Sequence, residues 1–272
     1  MSSIAIINAL PVWALAFIVI GAAVSFSVGL QLLSRWYFGE DVLTRNNEVA
    51  GFKFAVVGVA YAVLLAFVVI VVWNDFDRAR QAVYSEAERF YNLHRTSYTF
   101  PQDSGHKVRQ ALVAYAIVVR DNDWPQMEKG MRGSPSAAQT FSRLSLAVGQ
   151  AKSQNLDLVP SVIHAFNIMQ QIADYRLERL SAVGGQVTPV FWGVLLLGAI
   201  ITLGYPAFFA TKYVIAQILM TGGLAAIIGG TLFLMIILNY PFSGPERITS
   251  QPIDDVIQLM RIENSTGFDS VR

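Results

Sequence analysis

The chain has 272 residues, of which 54% are hydrophobic and 14% are charged, and its mean hydropathy is +0.45. A typical soluble domain is roughly 25% charged, so this composition argues against a water-soluble globular protein and against a disordered chain. The absence of cysteine excludes disulfides, cysteine nucleophiles and thiolate metal sites, and the net charge of +1 gives no reason to expect nucleic acid as a partner.

Four uncharged apolar stretches are each long enough to cross a bilayer core, which takes about 20 helical residues. They are predicted to span the membrane at about residues 11–33, 54–73, 189–209 and 213–238. No Lys or Arg precedes the first stretch, and it is longer than the apolar run of a signal peptide, so we expect it to be retained. The predicted organisation is a first transmembrane pair (1–73), a helical insert (74–188), a transmembrane hairpin (189–238) and a tail (239–272).

An even number of spans places both termini and the insert on one side of the membrane. Close to the spans, that side carries seven arginines, whereas the opposite side carries four cations, namely Arg35, Arg45, Lys53 and Lys212. Because cytoplasmic loops carry an excess of Lys and Arg, the termini and the insert are predicted to be cytoplasmic.

The insert is predicted to be a small helical bundle. No Gly or Pro lies between Gly58 and Pro101, so span two is expected to continue beyond the membrane as one helix to about Tyr98. Its apolar residues there recur at helical spacing, at Phe76, Ala79, Val83, Ala87, Phe90 and Leu93. Further helices are predicted at about 104–122, at 135–154 with Ser134 as the N-cap, and from about 160 to 184.

Small residues recur at every fourth position in three spans, a spacing that lets membrane helices approach closely. The stripes are Gly21, Ser25 and Gly29 in span one, Gly58, Ala62 and Ala66 in span two, and Gly222, Ala226 and Gly230 in span four. The sequence leaves open whether these stripes pack within one subunit or between subunits.

The loop between spans one and two is rich in polar and aromatic side chains. Asn46 or Asn47 is expected to cap the helix of span two, with Glu48 in its first turn, where a carboxylate is favourable. The alternative is a polar rim at the mouth of a pore, with cations that attract anions, formed by Arg45, Asn47, Glu48 and Lys53.

The sequence offers little for catalysis or coupled transport. No span carries an ionisable residue in its interior, where ion-coupled transporters usually keep one. Motifs for nucleotide binding, zinc proteolysis and serine hydrolysis are absent, so we expect neither an enzyme nor a cofactor. Asp121-Asn122-Asp123 and Asp254-Asp255 lack the length and the glycine of a calcium loop, and no metal site is expected.

A set of short motifs resembles the bacterial bestrophin-like domain family, a family of unknown function. In chain order the motifs are Asn47-Glu48-Val49-Ala50-Gly51-Phe52, the run from Gly58 to Phe67, Trp73, Asp123-Trp124-Pro125-Gln126-Met127, Arg176-Leu177-Glu178-Arg179-Leu180, Pro189 with Trp192, and Asn239-Tyr240-Pro241-Phe242-Ser243-Gly244. The family name implies a distant relation to bestrophins, which are pentameric anion channels with four membrane helices per subunit, cytosolic termini and a pore lined by the second helix. No segment matches the acidic calcium clasp of animal bestrophins.

The resemblance implies a homo-oligomeric ion channel, with a pentamer favoured, in the cytoplasmic (inner) membrane of a bacterium. Its partners would be the lipid bilayer and inorganic anions. If span two faces the pore opposite its small-residue stripe, the predicted pore wall is Val57, Tyr61, Leu64, Val68 and Val71.

A second hypothesis is a membrane-anchored scaffold or sensor. In that case the exposed part of the 76–93 stripe would bind a cytoplasmic partner, unless other helices of the insert cover the stripe fully.

Overall fold

A computed structural model describes residues 3–45, 47–151, 159–185 and 187–265. These residues form α-helices and contain no strand, which confirms the predicted all-α class. The helices are α1 (Ser3–Ala9), α2 (Val12–Phe38), α3 (Glu40–Arg45), α4 (Asn47–Thr96), α5 (Gln102–Val118), α6 (Trp124–Met127), α7 (Pro135–Gln150), α8 (Val159–Ser181), α9 (Pro189–Gly204), α10 (Val214–Leu238) and α11 (Gln251–Ser265). Short 3-10 helices cover Ser97–Thr99 and Tyr205–Phe208, and a π-helical turn covers Val119–Asp123.

Four helices are long and apolar enough to cross a membrane, as predicted: α2, α4, α9 with its following 3-10 turn, and α10. The prediction that span two continues into the insert is also confirmed, because α4 is one unbroken helix of 50 residues.

The chain divides into two compact units. The first comprises Met1–Asp75 and Gly185–Asn239, and the second comprises Phe76–Gly184 and Tyr240–Arg272. The first unit therefore holds the membrane-spanning segments, and α4 contributes residues to both units.

In the first unit, α2 packs closely against α10 at Gly229. A β-carbon at Gly229 would lie 3.0 Å from the Ala23 β-carbon and 3.1 Å from the Ile20 α-carbon, so the contact requires the missing side chain. The hydroxyl of Ser27 in α2 donates a hydrogen bond to the carbonyl oxygen of Leu203 in α9, at 2.7 Å. This bond satisfies a buried hydroxyl in an environment that supplies no water.

In the second unit, the apolar stripe of α4 forms part of the core with α5, α7, α8 and α11. Val83, Phe90 and Leu93 are fully buried, and Phe76 packs against the edge of the cluster. The other helices therefore cover the 76–93 stripe, and this burial removes the exposed face on which the scaffold hypothesis depended.

The helix α7 of the insert begins where the sequence predicts. The Ser134 hydroxyl accepts a hydrogen bond from the Ala137 backbone N–H at 3.2 Å, and Pro135 occupies the first position of α7. The helix ends at Gln150, and the rest of its predicted length, beyond residue 151, lies outside the described residues.

Candidate pore helix and its surroundings

One face of the membrane part of α4 is fixed against α9. The Tyr61 hydroxyl donates a hydrogen bond to the Leu195 carbonyl oxygen at 3.0 Å. The Tyr61 ring lies over Gly198, where an added β-carbon would be 2.5 Å from two ring carbons. Tyr61 and Val68 are only 5% and 8% exposed, and Leu65 and Val72 on the same face are also buried.

The predicted pore wall lies mainly on this packed face. Tyr61 and Val68 are buried inside the subunit, Val57 and Leu64 are half-buried, and Val71 is exposed. The sequence could not distinguish the faces because all sides of span two are apolar. What distinguishes the faces is the close approach of α9. This approach depends on Gly198, which lies 137 positions after Tyr61 in the chain.

The opposite face of α4 presents a line of exposed apolar side chains. Its members follow the three- and four-residue spacing of one helix face and are Val56, Val59, Val63, Phe67 and Ile70. We call this line the open face of α4. None of its five side chains is charged or polar, so it can contact lipid, another apolar helix or a narrow pore.

The predicted small-residue stripes are mostly open within one subunit. A β-carbon on Gly21, Gly29, Gly58 or Gly230 would meet no neighbouring atom within 4 Å among the described residues. Ser25, Ala62 and Ala66 are exposed and Ala226 is half-buried, whereas Gly222 lies near the Val24 side chain. Close contacts between membrane helices of one subunit are made instead by Gly198 and Gly229, and neither glycine belongs to a predicted stripe.

The stripe of α4 borders an apolar groove. Gly58, Ala62 and Ala66 line this groove of about 580 Å³, and Leu224 and Ile227 of α10 lie on its other side. The groove is therefore available to another helix.

The predicted pore-mouth residues separate into two groups. Arg45, Glu48 and Lys53 are exposed. Asn47 is the first residue of α4, and its side chain both donates to the Ala210 carbonyl oxygen at 2.8 Å and accepts from the Ala210 N–H at 3.2 Å. The side chain of Asn47 therefore bonds to the α9–α10 link, and because Asn46 lies outside the described residues, the cap of α4 stays a prediction.

The link between α9 and α10 is held by further side chains that the sequence did not single out for this role. Arg35 donates to the Thr211 carbonyl oxygen at 2.6 Å and also pairs with Glu40. Gln217 donates to the Phe209 carbonyl oxygen at 2.7 Å. These bonds satisfy backbone groups that lack partners between two membrane helices.

A buried ion cluster lies in the second unit. Arg179 makes a two-pronged contact with Glu86, with N···O distances of 2.6 and 3.0 Å, and its guanidinium lies 4.8 Å from the Trp124 ring centre. Arg179 and Glu86 have no solvent exposure. Burial by itself lowers the pKa of Arg179, but Glu86 and Asp123 outweigh this effect and hold the pKa above its ordinary value.

Asp123 joins the same cluster to the start of α7. One of its carboxylate oxygens accepts hydrogen bonds from the Ser134 N–H and hydroxyl, at 2.7 and 2.9 Å. The other accepts from Arg176 at 3.2 Å and lies 3.4 Å from Arg179. The motifs 123–127 and 176–180, which are about 50 residues apart in the chain, therefore meet at Asp123.

Of the remaining acidic residues considered for a cation, Asp121 and Asp254 pair with arginine, and Asp255 accepts a hydrogen bond from Gln251 at 2.8 Å. Arg120 contacts Asp121 at 2.6 Å and Asp254 at 3.2 Å. Across the described parts of the chain, no three His, Asp or Glu side chains group as metal ligands would.

His94 connects α4 to α11. Its ring nitrogens lie 3.1 Å from a Glu263 carboxylate oxygen and 3.2 Å from the Asn264 side-chain oxygen. The Tyr91 hydroxyl donates to the other oxygen of Glu263 at 2.8 Å. Burial of the ring lowers the pKa of His94, although Asn264 and Glu263 oppose this effect.

The fold is similar to that of several solved membrane proteins. Two crystal structures of point mutants of a bacterial bestrophin homologue from Klebsiella pneumoniae share 14% identity with this chain, with TM-scores of 0.67 and 0.68. They cover 91% and 90% of this chain, which in turn covers 99% of each. A point mutant described as a membrane protein has a TM-score of 0.70 at 13% identity and covers 91% of this chain, with 98% of its own length matched.

Comparisons of sequence add the family. No curated protein matches the chain significantly. Residues 21–253 match the Bestrophin-like domain, a range that begins within α2 and includes the other three membrane helices and the whole insert. The chain therefore belongs to the bestrophin-like family.

Proposed function

We propose that this protein is an oligomeric, anion-permeable ion channel whose pore is lined by the open face of α4. The observation that carries the proposal is the packing of Tyr61 on Gly198, which leaves that face uncovered by its own subunit. Rings of apolar side chains form constrictions that control ion flow by excluding water, so an uncharged pore wall suits a channel. Membership of the bestrophin-like family supports the same helix, because bestrophins line their pore with the second helix.

A single α4 cannot enclose a pore, so the proposal requires several copies around an axis. The open stripe Gly58, Ala62 and Ala66 supports a helix of a second copy packing into the adjoining groove. A closed ring built from one repeated contact is the usual symmetry of such assemblies, and the family resemblance favours five copies.

We propose an anion as the permeant ion because the chain belongs to the bestrophin-like family. Close to the start of α4, the exposed cations Arg45 and Lys53 would attract anions, and the exposed acids Asp41 and Glu48 lie near them in the chain. The proposed setting is the bacterial inner membrane, with the second unit and both termini in the cytoplasm, from the distribution of Arg and Lys in the sequence.

Two measurements on the purified full-length protein test this proposal. Native mass measurement in mild detergent is expected to show a closed oligomer, and a monomer would overturn the ring-shaped pore. Recordings in planar bilayers under a KCl gradient are expected to show currents that reverse near the chloride equilibrium potential. Reversal near the potassium potential would overturn anion selectivity, and the absence of current from a reconstituted oligomer would overturn the channel.

A further inference from the structure

A polar cleft of about 480 Å³ lies between α4 and α8 in the second unit. Its α4 wall consists of Arg89, Asn92, Arg95 and Thr96, and its α8 wall consists of His164, Asn167, Ile168 and Gln171. On each helix these residues recur at intervals of one or three positions that place them on a single face. Ile168 is buried, and the others present polar groups.

The polar groups of this cleft are mainly hydrogen-bond donors. Two guanidinium groups, three amides, a hydroxyl and an imidazole line it, and none of its lining residues is acidic. The carboxylate of Glu88 lies 3.6 Å from the Arg89 guanidinium and accepts a long hydrogen bond from Asn92 at 3.5 Å, and its side chain is 61% exposed to solvent. In the described part of the chain, the buried Nε of Arg89 has no hydrogen-bond partner.

Such a collection of donors fits a negatively charged acceptor. A buried N–H without a partner is costly, and an anion bound in the cleft would be attracted by both guanidinium groups that line it. Arginine matches the oxygens of phosphoryl groups in a planar, two-pronged geometry, and the cleft has a volume within the range of small-ligand sites, which are about 300–1,000 Å³.

We propose that the cleft between α4 and α8 binds a small soluble anion that carries a phosphoryl group. Arg89 and Arg95 would supply the charge, and Asn167 and Gln171 would donate from the opposite wall. The site lies wholly within the second unit and does not depend on whether the membrane helices conduct ions.

The proposal is tested by calorimetric titration of the full-length protein in detergent with pyrophosphate, at an ionic strength held constant with chloride. We expect saturable binding by the natural protein. Replacing Arg95 with Gln (Arg95→Gln) removes one charge-assisted contact, and we expect at least about a tenfold weaker affinity. Asn167→Asp places a carboxylate on the opposite wall at an exposed position, and we expect it to abolish binding.

Arg80→Gln is the matched control, because Arg80 is an exposed arginine of the same helix that pairs with Asp77 outside the cleft. It should bind pyrophosphate as the natural protein does. The proposal would be overturned if the natural protein did not bind pyrophosphate. It would also be overturned if Arg95→Gln and Asn167→Asp bound pyrophosphate as tightly as the natural protein while unfolding at the same temperature as it does.

Discussion

The ring of Tyr61 lies directly on Gly198, and its hydroxyl donates to the carbonyl oxygen of Leu195 one turn earlier in α9. One aromatic side chain thus makes a close packing contact and a hydrogen bond with the same helix. In lipid, where no hydrophobic effect drives helices together, contacts of this kind determine which faces meet. The orientation of α4, and with it the proposed pore wall, depends on this pair.

The first prediction concerns that contact. Gly198→Ala would place a β-carbon 2.5 Å from the Tyr61 ring, so α4 and α9 must separate or the ring must leave its position. Overpacking of this kind typically costs about 1–3 kcal/mol, and we expect a lower midpoint of thermal unfolding in detergent. Gly193→Ala in the same helix is the control, because an added β-carbon there meets no described atom within 4 Å. Equal midpoints for the two variants would show that the contact is not tight.

The second prediction concerns the buried ion cluster. Glu86→Ala removes the main partner of Arg179 and leaves a buried charge near Asp123 alone, a change that typically costs about 3–5 kcal/mol. Asp77→Ala breaks the exposed pair with Arg80, where the expected loss is at most about 1 kcal/mol. Thermal unfolding followed by circular dichroism should therefore separate the two variants clearly. A small effect of Glu86→Ala would mean that the cluster is not a main support of the second unit.

The third prediction concerns pH. The folded pKa of His94 is lowered by burial, so between that value and the unfolded pKa of about 6.5 the unfolded chain binds more protons than the folded one. This contribution to the free energy of unfolding is complete above the unfolded pKa and is lost as the pH falls through that window. The charged groups around the ring are Glu263 of α11, which opposes the shift, and Arg109 of α5, which adds to it.

Thermal unfolding at pH 7.5 and pH 5.5 checks this third prediction. The natural protein should lose more stability on acidification than His94→Gln, whose amide does not titrate. His106→Gln, at an exposed position of α5, should behave like the natural protein. An identical loss in the natural protein and His94→Gln would contradict the assignment of this pH dependence to His94.

The membrane helices were predictable because length and hydropathy suffice to identify them. The absence of Gly and Pro from 59–100 correctly predicted that α4 is continuous, and the Ser134-Pro135 pair predicted where α7 begins. Both signals act within a few residues of the feature that they determine.

The orientation of α4 was not predictable in the same way. Tyr61 and Val63 are both apolar enough for any face of a membrane helix, and only the contact with Gly198 distinguishes them. The same applies to Asn47, whose side chain bonds to the backbone of Ala210, 163 positions away in the chain. Contacts between residues that are far apart in the chain cannot be predicted from the spacing of residues along one helix.

The absence of cysteine from the natural chain permits one direct test of the proposed pore. Val63→Cys lies on the open face, where the natural side chain is 50% exposed, and Val68→Cys lies on the packed face, where it is 8% exposed. A water-soluble, charged thiol reagent reacts with a thiolate in a wetted pore but not with a thiol that faces lipid or protein. In bilayer recordings, we predict that the reagent changes the current of Val63→Cys and leaves the natural protein and Val68→Cys unaffected. Modification of the current through Val68→Cys, with none through Val63→Cys, would contradict the assignment of the open face of α4 to the pore.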